Sequence, residues 1–539
     1  MTFTTPAEGT SAGPSKRVPR RSVLAVLCIA VLMVNLDNTI LNVALPTLVD
    51  RLQATTDQLQ WIVDAYAIVF GGTLLVDGSL ADRYGRRRLL LIGLVIFGGG
   101  SLGAAFSSSV GPLIAWRAFM GAGAAMTIPS GLSIVNDLFR EPAQRARAVG
   151  VWSGTIGLGI AIGPVAGGLL LSRFWWGSVF LVNVPVVAAG IVGTLLIVPE
   201  SRSLAARKAD PWGGLLSIAG LGLVLWAIIE GPTHGWGSGE VLGTAIGGLA
   251  VIASFLAWER RVDHPMLPLA YLRLRRFAIA TLSLGLGVFA LFGGLFVMTQ
   301  FLQFARGYTP LGAGVRILPI SVVLVVGALA SPRLVKWAGT KLIAAGGLLL
   351  VAGGLAQIFA VSSAGATYPQ QLPGMLLIGL GAGMLIPTAT NSVLGTLAQD
   401  DAGVGSAANS TVMQVGGAIG VAVIGSVLST RYQHAMRAAL AGRHIPTVAA
   451  NAILGSIGGA LSVARTVGGT LGTELAQAAR VGFMSGYRSA TIVGASVTMA
   501  GVLVALVALP SRPTPGSQEH ATTRASTRNE PDDGGGAEE

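Results

Sequence analysis

Three ionisable residues stand where an apolar chain tolerates charge least. Asp37 lies inside Val34-Asn35-Leu36-Asp37-Asn38-Thr39-Ile40-Leu41-Asn42, within a long apolar run. Asn35, Asn38 and Asn42 fall on one face at helical spacing, with Asp37 beside them. A carboxylate in a membrane span costs ~2.5–3.5 kcal/mol even on lenient insertion scales, so its presence points to function. Such a group can take and release a proton or attract a cationic substrate; the competing reading is a structural carboxylate locked to the asparagines or to a neighbouring helix. Arg117 sits a turn or two inside another apolar run, in Trp116-Arg117-Ala118-Phe119-Met120-Gly121. A buried guanidinium beside an acid would favour release of the acid's proton; alternatively the side chain snorkels to the membrane surface. Asp64 follows Trp61 by about one helical turn. A carboxylate beside an aromatic suits a cationic substrate, and a tryptophan at the interface with an outward-facing acid is equally ordinary.

The second constellation is Gly78-Ser79-Leu80-Ala81-Asp82-Arg83-Tyr84-Gly85-Arg86-Arg87-Arg88-Leu89. So many charges cannot sit in hydrocarbon, so this stretch is expected to be a loop at a membrane face, the cytoplasmic one by the positive-inside bias. Gly78 and Gly85 are expected to let the backbone turn at its two ends. Asp82 is placed to pair with arginines or cap a helix, and Asp77 to join the same network.

The elements that must position these residues follow from composition. The chain has 539 residues, 52% of them hydrophobic and only 11% charged. Soluble domains carry roughly 25% charged residues, so this is expected to be an all-α polytopic membrane protein. The 76 glycines fit closely packed transmembrane helices. The net charge of +12 is concentrated in alternate loops, a topology signal rather than a nucleic-acid face. The single cysteine, Cys28, excludes an intramolecular disulfide. The basic flank before the first apolar run resembles a signal peptide, but the run is too long, carries Asp37 and lacks a small-x-small cleavage site, so it reads as a retained helix. No lysine is followed by Ser or Thr, which excludes a P-loop. The five histidines fall in expected loops or tails, so neither a metal site nor a nucleophile–base pair is expected.

Taken in order, a cytoplasmic tail (1–21) precedes fourteen expected spans, at about 22–45, 58–78, 89–108, 111–133, 147–171, 177–198, 212–230, 241–258, 277–300, 312–332, 342–361, 372–391, 404–429 and 489–509. An even count puts both termini on the arginine-rich, cytoplasmic side. The stretch 431–487 is expected to be a long external loop with room for a helix lying on the membrane, and 510–539 a disordered cytoplasmic tail. Gly121-Ala-Gly123-Ala-Ala-Met126-Thr-Ile128-Pro129-Ser130 recurs as Gly379-Leu-Gly381-Ala-Gly-Met384-Leu-Ile386-Pro387-Thr388. A fainter echo of the charged loop lies at Pro332–Lys341, where Gly339 matches Gly85. Such repeats imply two pseudo-symmetric six-helix halves (22–198 and 277–509) with a site between them, and leave two inserted helices within 199–276.

The spacing Gly78-x-x-x-Asp82-Arg83-x-Gly85-Arg86-Arg87 resembles the loop between helices 2 and 3 of the major facilitator superfamily. The Asp37-to-Pro46 stretch, ending Ala44-Leu45-Pro46, resembles the first-helix motif of its fourteen-helix drug:proton antiporter branch. Gly154–Gly168, with Gly159, Gly163, Pro164, Gly167 and Gly168 on a smooth face, resembles the helix-5 motif of antiporters. Further similar stretches are Phe180-Leu-Val-Asn183-Val-Pro185, Ile229-Glu230-Gly-Pro, Thr299-Gln300-Phe-Leu-Gln303 and Ala313-Gly314-x-x-x-Leu-Pro319. The family has an arginine at Arg117, implicated in proton transfer, and usually a glutamine where Met120 stands. Glu230, at a helix end, reads as a surface residue.

The resemblance implies a bacterial inner-membrane exporter, monomeric and without cofactor, driven by the proton-motive force. Asp37, Asp64, Arg117, Asn38 and Asn42 would handle protons and substrate. Gly78, Asp82, Arg83, Gly85, Arg86 and Arg87 would form a cytoplasmic latch. Its partners would be protons, an amphiphilic and often cationic small molecule, and the bilayer; nucleic acid is not expected. An exporter of one native metabolite, antibiotic or lipid is the alternative, and an integral membrane transferase a remote one.

Overall fold

A computed structural model describes residues 20–139, 141–202, 210–262, 269–363, 365–396 and 402–509. The tails 1–19 and 510–539, and the greater part of the basic connection at 203–209, lie outside the described residues.

With no water to satisfy backbone polar groups in hydrocarbon, long apolar runs close their hydrogen bonds internally as helices. The first half contains α1 (Arg20–Leu52), α2 (Thr56–Tyr84), α3 (Arg86–Ala105), α4 (Val110–Leu138), α5 (Pro142–Arg173), the single turn α6 (Ser178–Leu181) and α7 (Asn183–Ile197). Two helices follow, α8 (Pro211–His234) and α9 (Gly239–Glu259). The remainder is α10 (Arg275–Gln300, prolonged by a π-helical turn over Phe301–Ala305), α11 (Pro310–Val361), α12 (Tyr368–Leu394), α13 (Ala402–Leu440), α14 (Thr447–Gly455), α15 (Ile457–Val467) and α16 (Gly469–Ala508). Among the described residues, twelve helices are long and apolar enough to cross a membrane, and α2, bent by 53° between Leu74 and Val76, makes thirteen. No strand occurs among them. This is an all-α polytopic membrane protein. Its outward side chains agree: Ile246 and Leu329 are 67% and 69% exposed on spanning helices, where lipid is the solvent.

Two breaks in the helices fall at glycines. Gly85 (φ 114°) separates α2 from α3, and Gly339 (φ 81°) bends the 52-residue α11. Both sit in left-handed conformations that side chains disfavour. Gly78 is different. It lies inside α2 with open space where a Cβ would be, so the expected turn there is absent. The charged loop at 78–89 is therefore a helix end, one hinge residue and a helix start. At the start of α2, Thr55 is the N-cap and donates its N–H to Gln58 Oε1 (3.1 Å), while the Thr56 hydroxyl donates to Gly455 O (3.0 Å). At α8, Asp210 Oδ1 accepts from Gly213 N (3.0 Å) and its Oδ2 from Trp258 Nε1 (2.9 Å), tying α8 to α9.

The stretch 431–487 is mostly helical. It contains the end of α13, all of α14 and α15, and the start of α16. Its pieces cap the bundle: Tyr432 Oη donates to Ile453 O (2.8 Å), and a Cβ on Gly458 would strike Val49 and Phe304. His434 consequently lies in α13 rather than in a loop.

Glycine sets how closely helices approach. A Cβ on Gly123 would lie 2.6 Å from Phe97 N and 2.7 Å from Gly93 O, so α3 and α4 touch backbone to backbone. Gly99, on α3, faces open space. Gly123→Val should cost about 1–3 kcal/mol through overpacking, and Gly99→Val less than about 0.5 kcal/mol. Thermal unfolding in detergent separates them: a drop of several degrees is expected for the first only, and equal drops would refute the backbone-contact assignment.

Candidate functional site

Gly121 on α4 lets the bundle build its charged centre. A Cβ there would stand 2.5 Å from Tyr66 O, so α4 lies directly against α2. One turn earlier on α4, Arg117 consequently points into the protein and is fully buried. Its Nε donates to Ile62 O of α2 (3.0 Å), and its guanidinium lies 4.4 Å from the Tyr66 ring centroid. One Nη meets Asp37 Oδ2 of α1 at 2.5 Å. The other Nη has no partner among the described residues. This geometry excludes snorkelling.

Asp37, 1% exposed, is held from its other side as well. Asn183 Nδ2, at the start of α7, donates to Asp37 Oδ1 (2.8 Å) and to Ser101 Oγ of α3 (3.0 Å), and Ser101 donates on to Phe180 O (2.8 Å). Side chains from α4 and α7 thus converge on a carboxylate carried by α1, and Ser101 brings α3 into the same network. In low-dielectric surroundings its charge is tolerable because a guanidinium and an amide donate to it. Sequence reasoning placed Asn183 in a family-like stretch but gave it no role. An asparagine at a helix start is a common cap, and nothing in its neighbourhood marks it as a partner of Asp37.

The asparagine face of α1 looks elsewhere. Asn35, Asn38 and Asn42 line a central cavity of about 160 Å³, with Phe70, Phe292 and Gln414 among the residues opposite. Asn35 and Asn42 each donate one amide hydrogen to the carbonyl four residues earlier (2.8 and 3.0 Å). A smaller void of about 30 Å³ is lined by Asn38, Asn42 and Arg117 together. Arg117 therefore touches both the acid and a void that shares Asn38 and Asn42 with the central cavity.

Asp64 is not part of this cluster. It is fully buried, so the outward-facing reading fails, and among the described residues neither of its oxygens has a hydrogen-bond partner. Trp61, one turn away, donates instead to Glu230 Oε1 of α8 (3.1 Å). Glu230 is thereby part of a joint between α2 and α8 rather than a bare surface residue.

At the charged hinge, Arg86 is the hub. Its Nε donates to Asp82 Oδ1 (2.9 Å), and another nitrogen forms an ion pair with Asp137 at the end of α4. Arg87 reaches Leu195 O (2.7 Å) through its guanidinium and Glu200 Oε1 (3.1 Å) through its backbone N–H. Arg88 lies 3.7 Å from Glu200. Arg83 is exposed over the Tyr84 ring. Asp77 is buried and has no ion pair with these arginines among the described residues, contrary to expectation. Asp137 and Glu200 went unnoticed in the sequence because acids at span ends are ordinary.

The glycine face of α5 divides between two neighbours. Gly159, Gly163 and Gly167 pack on Asn35, Thr39 and Ile40 of α1, and Thr39 Oγ1 donates to Gly159 O (3.2 Å). Gly168 and the Pro164 carbonyl meet Leu311 and Gly314 of α11.

Residues 27–421 match the Major Facilitator Superfamily. The chain belongs to the major facilitator superfamily. It is a bacterial multi-pass membrane protein and a transporter rather than an enzyme. The chain is 31% identical to the tetracenomycin C resistance and export protein of Streptomyces glaucescens, over 94% of this chain and 95% of that one. It is 32% identical to the multidrug efflux pump LfrA of Mycolicibacterium smegmatis, over 93% and 98%. In fold it resembles a bacterial homologue of the human lysosomal transporter Spinster in an inward-facing, occupied conformation (TM-score 0.64, 16% identity, 93% of this chain and 100% of that one).

Within this facilitator, Arg117→Met alone should lower stability by about 3–5 kcal/mol, because it strands a buried carboxylate. Adding Asp37→Leu should recover most of that loss. Denaturation of the purified variants decides: if the double variant is no more stable than the single, the pair is not what holds these helices together.

Proposed function

We propose that this protein is a proton-coupled exporter of amphiphilic, often cationic, compounds, working by alternating access. The observation that carries this reading is the buried Asp37–Arg117 pair set beside a mainly apolar cavity between the two halves. A proton arriving at Asp37 would release Arg117, and compound bound against Asn38 and Asn42 would favour the proton's departure. This is the differential interaction that exchange requires. The wholly buried, unpartnered Asp64 is a second candidate for the proton. Relatives named for efflux and antibiotic resistance support the direction of transport.

In this reading α11 contributes two spans joined at Gly339 and α6–α7 one, so the spans number fourteen, as in the drug:proton antiporter branch. Two pseudo-symmetric halves, 22–198 and 277–509, would rock about the α5–α11 and α2–α13 contacts, with α8 and α9 inserted between them. The protein would lie in the inner membrane as a monomer with both termini cytoplasmic, and Arg86, Asp82 and Asp137 would act as the cytoplasmic latch. Relatives named for a single compound, including a probable actinorhodin transporter (32% identity), favour a second reading as a dedicated exporter.

In inverted vesicles, native protein should release protons when an amphiphilic cation is added, and Asp37→Asn should abolish the exchange. Normal exchange by that variant would make Asp37 structural. Response to one compound only, across a panel of cationic and neutral amphiphiles, would favour the dedicated exporter. Arg86→Gln removes both acid contacts of the latch and should slow exchange about tenfold, equivalent to ~1.4 kcal/mol. Arg83→Gln, outside the network, should leave the rate unchanged. Equal losses would mean that local charge matters rather than the contacts.

A further inference from the structure

The central cavity is polar without being charged. Asn35, Asn38 and Asn42 of α1 share its lining with Ser321 of α11 and Ser410 and Gln414 of α13, and among the described residues no acid, lysine, arginine or histidine lines it. Part of its hydrogen-bonding capacity is already engaged. Thr39 Oγ1, also in the lining, donates to Gly159 O (3.2 Å), and Thr299 Oγ1 to Phe296 O (3.0 Å). Asn35 and Asn42 each use one amide hydrogen within α1. The rest is free. The side-chain oxygens of Asn35 and Asn42, the hydroxyls of Ser321 and Ser410 and the whole amide of Gln414 have no hydrogen-bond partner among the described residues, and each keeps some surface open.

Gln414 differs from the other glutamines at contacts between distant helices. Gln60 donates to Val421 O and Ala422 O (3.1 and 2.8 Å), and Gln303 to Val43 O (2.9 Å). Gln414 lies in the same α2–α13 contact as Gln60, with its Cβ 3.4 Å from where a Cβ on Gly71 would stand. The Gly71 carbonyl, however, is taken by Thr411 Oγ1 (3.3 Å), one turn earlier on α13. The Gln414 amide is thus left to the cavity. Together with Asn38 and Asn42 it also lines the small void that Arg117 borders. A guest group held between α1 and α13 at this place stands next to the void beside the guanidinium that holds Asp37.

We propose that the cavity recognises an uncharged hydrogen-bonding group of the transported compound, a ketone, amide or hydroxyl on an aryl body, and that Gln414 with Asn38 and Asn42 sets this specificity. The inference rests on the exporter reading and narrows its substrate class. A carboxamide both donates and accepts, so these side chains can satisfy a carbonyl or a hydroxyl alike. Phe70 and Phe292 give the rings apolar walls. A positive charge finds no counter-ion there. Asp37 has Oδ2 engaged by Arg117 and Oδ1 by Asn183, and Asp64 is outside the lining. An unpaired charge in such surroundings is strongly disfavoured, whereas a carbonyl exchanges its water for amides. A cationic compound is therefore held by its neutral polar group and not by its charge.

The test measures equilibrium binding of three probes to the purified full-length protein. These are 1-aminoanthraquinone, neutral with carbonyl and amine groups; anthracene, the same rings without them; and tetraphenylphosphonium, a permanent cation with no hydrogen-bonding group. Aminoanthraquinone should bind saturably and at least about tenfold more tightly than either of the others. Gln414→Leu and Gln414→Met, both close to the native volume, should weaken aminoanthraquinone about tenfold and leave anthracene unchanged. Native protein that binds anthracene or tetraphenylphosphonium as tightly as aminoanthraquinone, or binds no aminoanthraquinone saturably, would overturn the proposal. So would the full native preference in whichever of the two variants folds. Selective binding by native protein that exchanges no protons for aminoanthraquinone in inverted vesicles would leave the recognition site standing and overturn the exporter reading instead.

Discussion

A carboxylate and a guanidinium, both shut away from water, set the terms for the rest of this bundle. Either charge alone would be intolerable between apolar helices, so Asp37 and Arg117 must meet, and their helices must come close enough for that. Gly121 supplies the approach of α4 to α2, and the Ile62 carbonyl and Tyr66 ring cradle the part of the guanidinium that the acid does not reach. Asn183 completes the acid's shell and binds α7 and α3 into the same junction through Ser101. Packing and electrostatics are here a single requirement. Because the pair is neutral only as a pair, protonating one member changes what the other can bind, and this is the physical basis on which a proton could drive substrate movement.

Two kinds of contact hold the helices together. Gly159, Gly163 and Gly167 let α5 lie against α1, with backbone atoms within a Cβ's reach. Gly168 and Gly314 interlock α5 with α11 in the same way, whereas α2 meets α13, and α1 meets the turn after α10, through polar contacts as well. Gln60 Nε2 donates to Val421 O and Ala422 O (3.1 and 2.8 Å), Gln303 Nε2 to Val43 O (2.9 Å), and Thr411 to Gly71 O. Side-chain hydrogen bonds to carbonyls break and re-form at modest net energy, about 0.5–1.5 kcal/mol each, whereas interlocked glycine faces do not slide. That contrast marks where the bundle can yield and where it moves as a block.

How much of this was legible depended on whether a residue's meaning is local. Asp37 and Arg117 are conspicuous in the chain because charge in an apolar run needs no partner to be noticed. Their meeting is not written anywhere in the sequence, since it depends on which faces of α1, α2 and α4 turn together. Gly85 was readable as a hinge from its charged flanks, and Gly339 by its echo. Gly78 misled because the same spacing serves equally well inside a helix. Asn183, Asp137 and Glu200 stayed hidden for one reason: a polar residue at a helix end has so many ordinary uses that only its neighbours reveal a special one. The helices within 431–487 were obscured by an Ala/Gly composition that is as common in loops as in short packed helices.

Helices α8 and α9 raise a different question. Ser426 Oγ donates to Ile228 O (2.6 Å), and a Cβ on Gly72 would collide with Ile218, so α8 is seated firmly against α13 and α2. Pieces that merely filled the membrane would be expected to pack without leaving space. Here they stand off from α10 and enclose a cavity larger than the central one, about 530 against 160 Å³. Space of that size between firmly attached helices is costly unless lipid or another apolar molecule occupies it, because the lining side chains forgo dispersion contacts. Because α8 is attached to both α2 and α13, any displacement of α2 against α13 must carry or deform this wall.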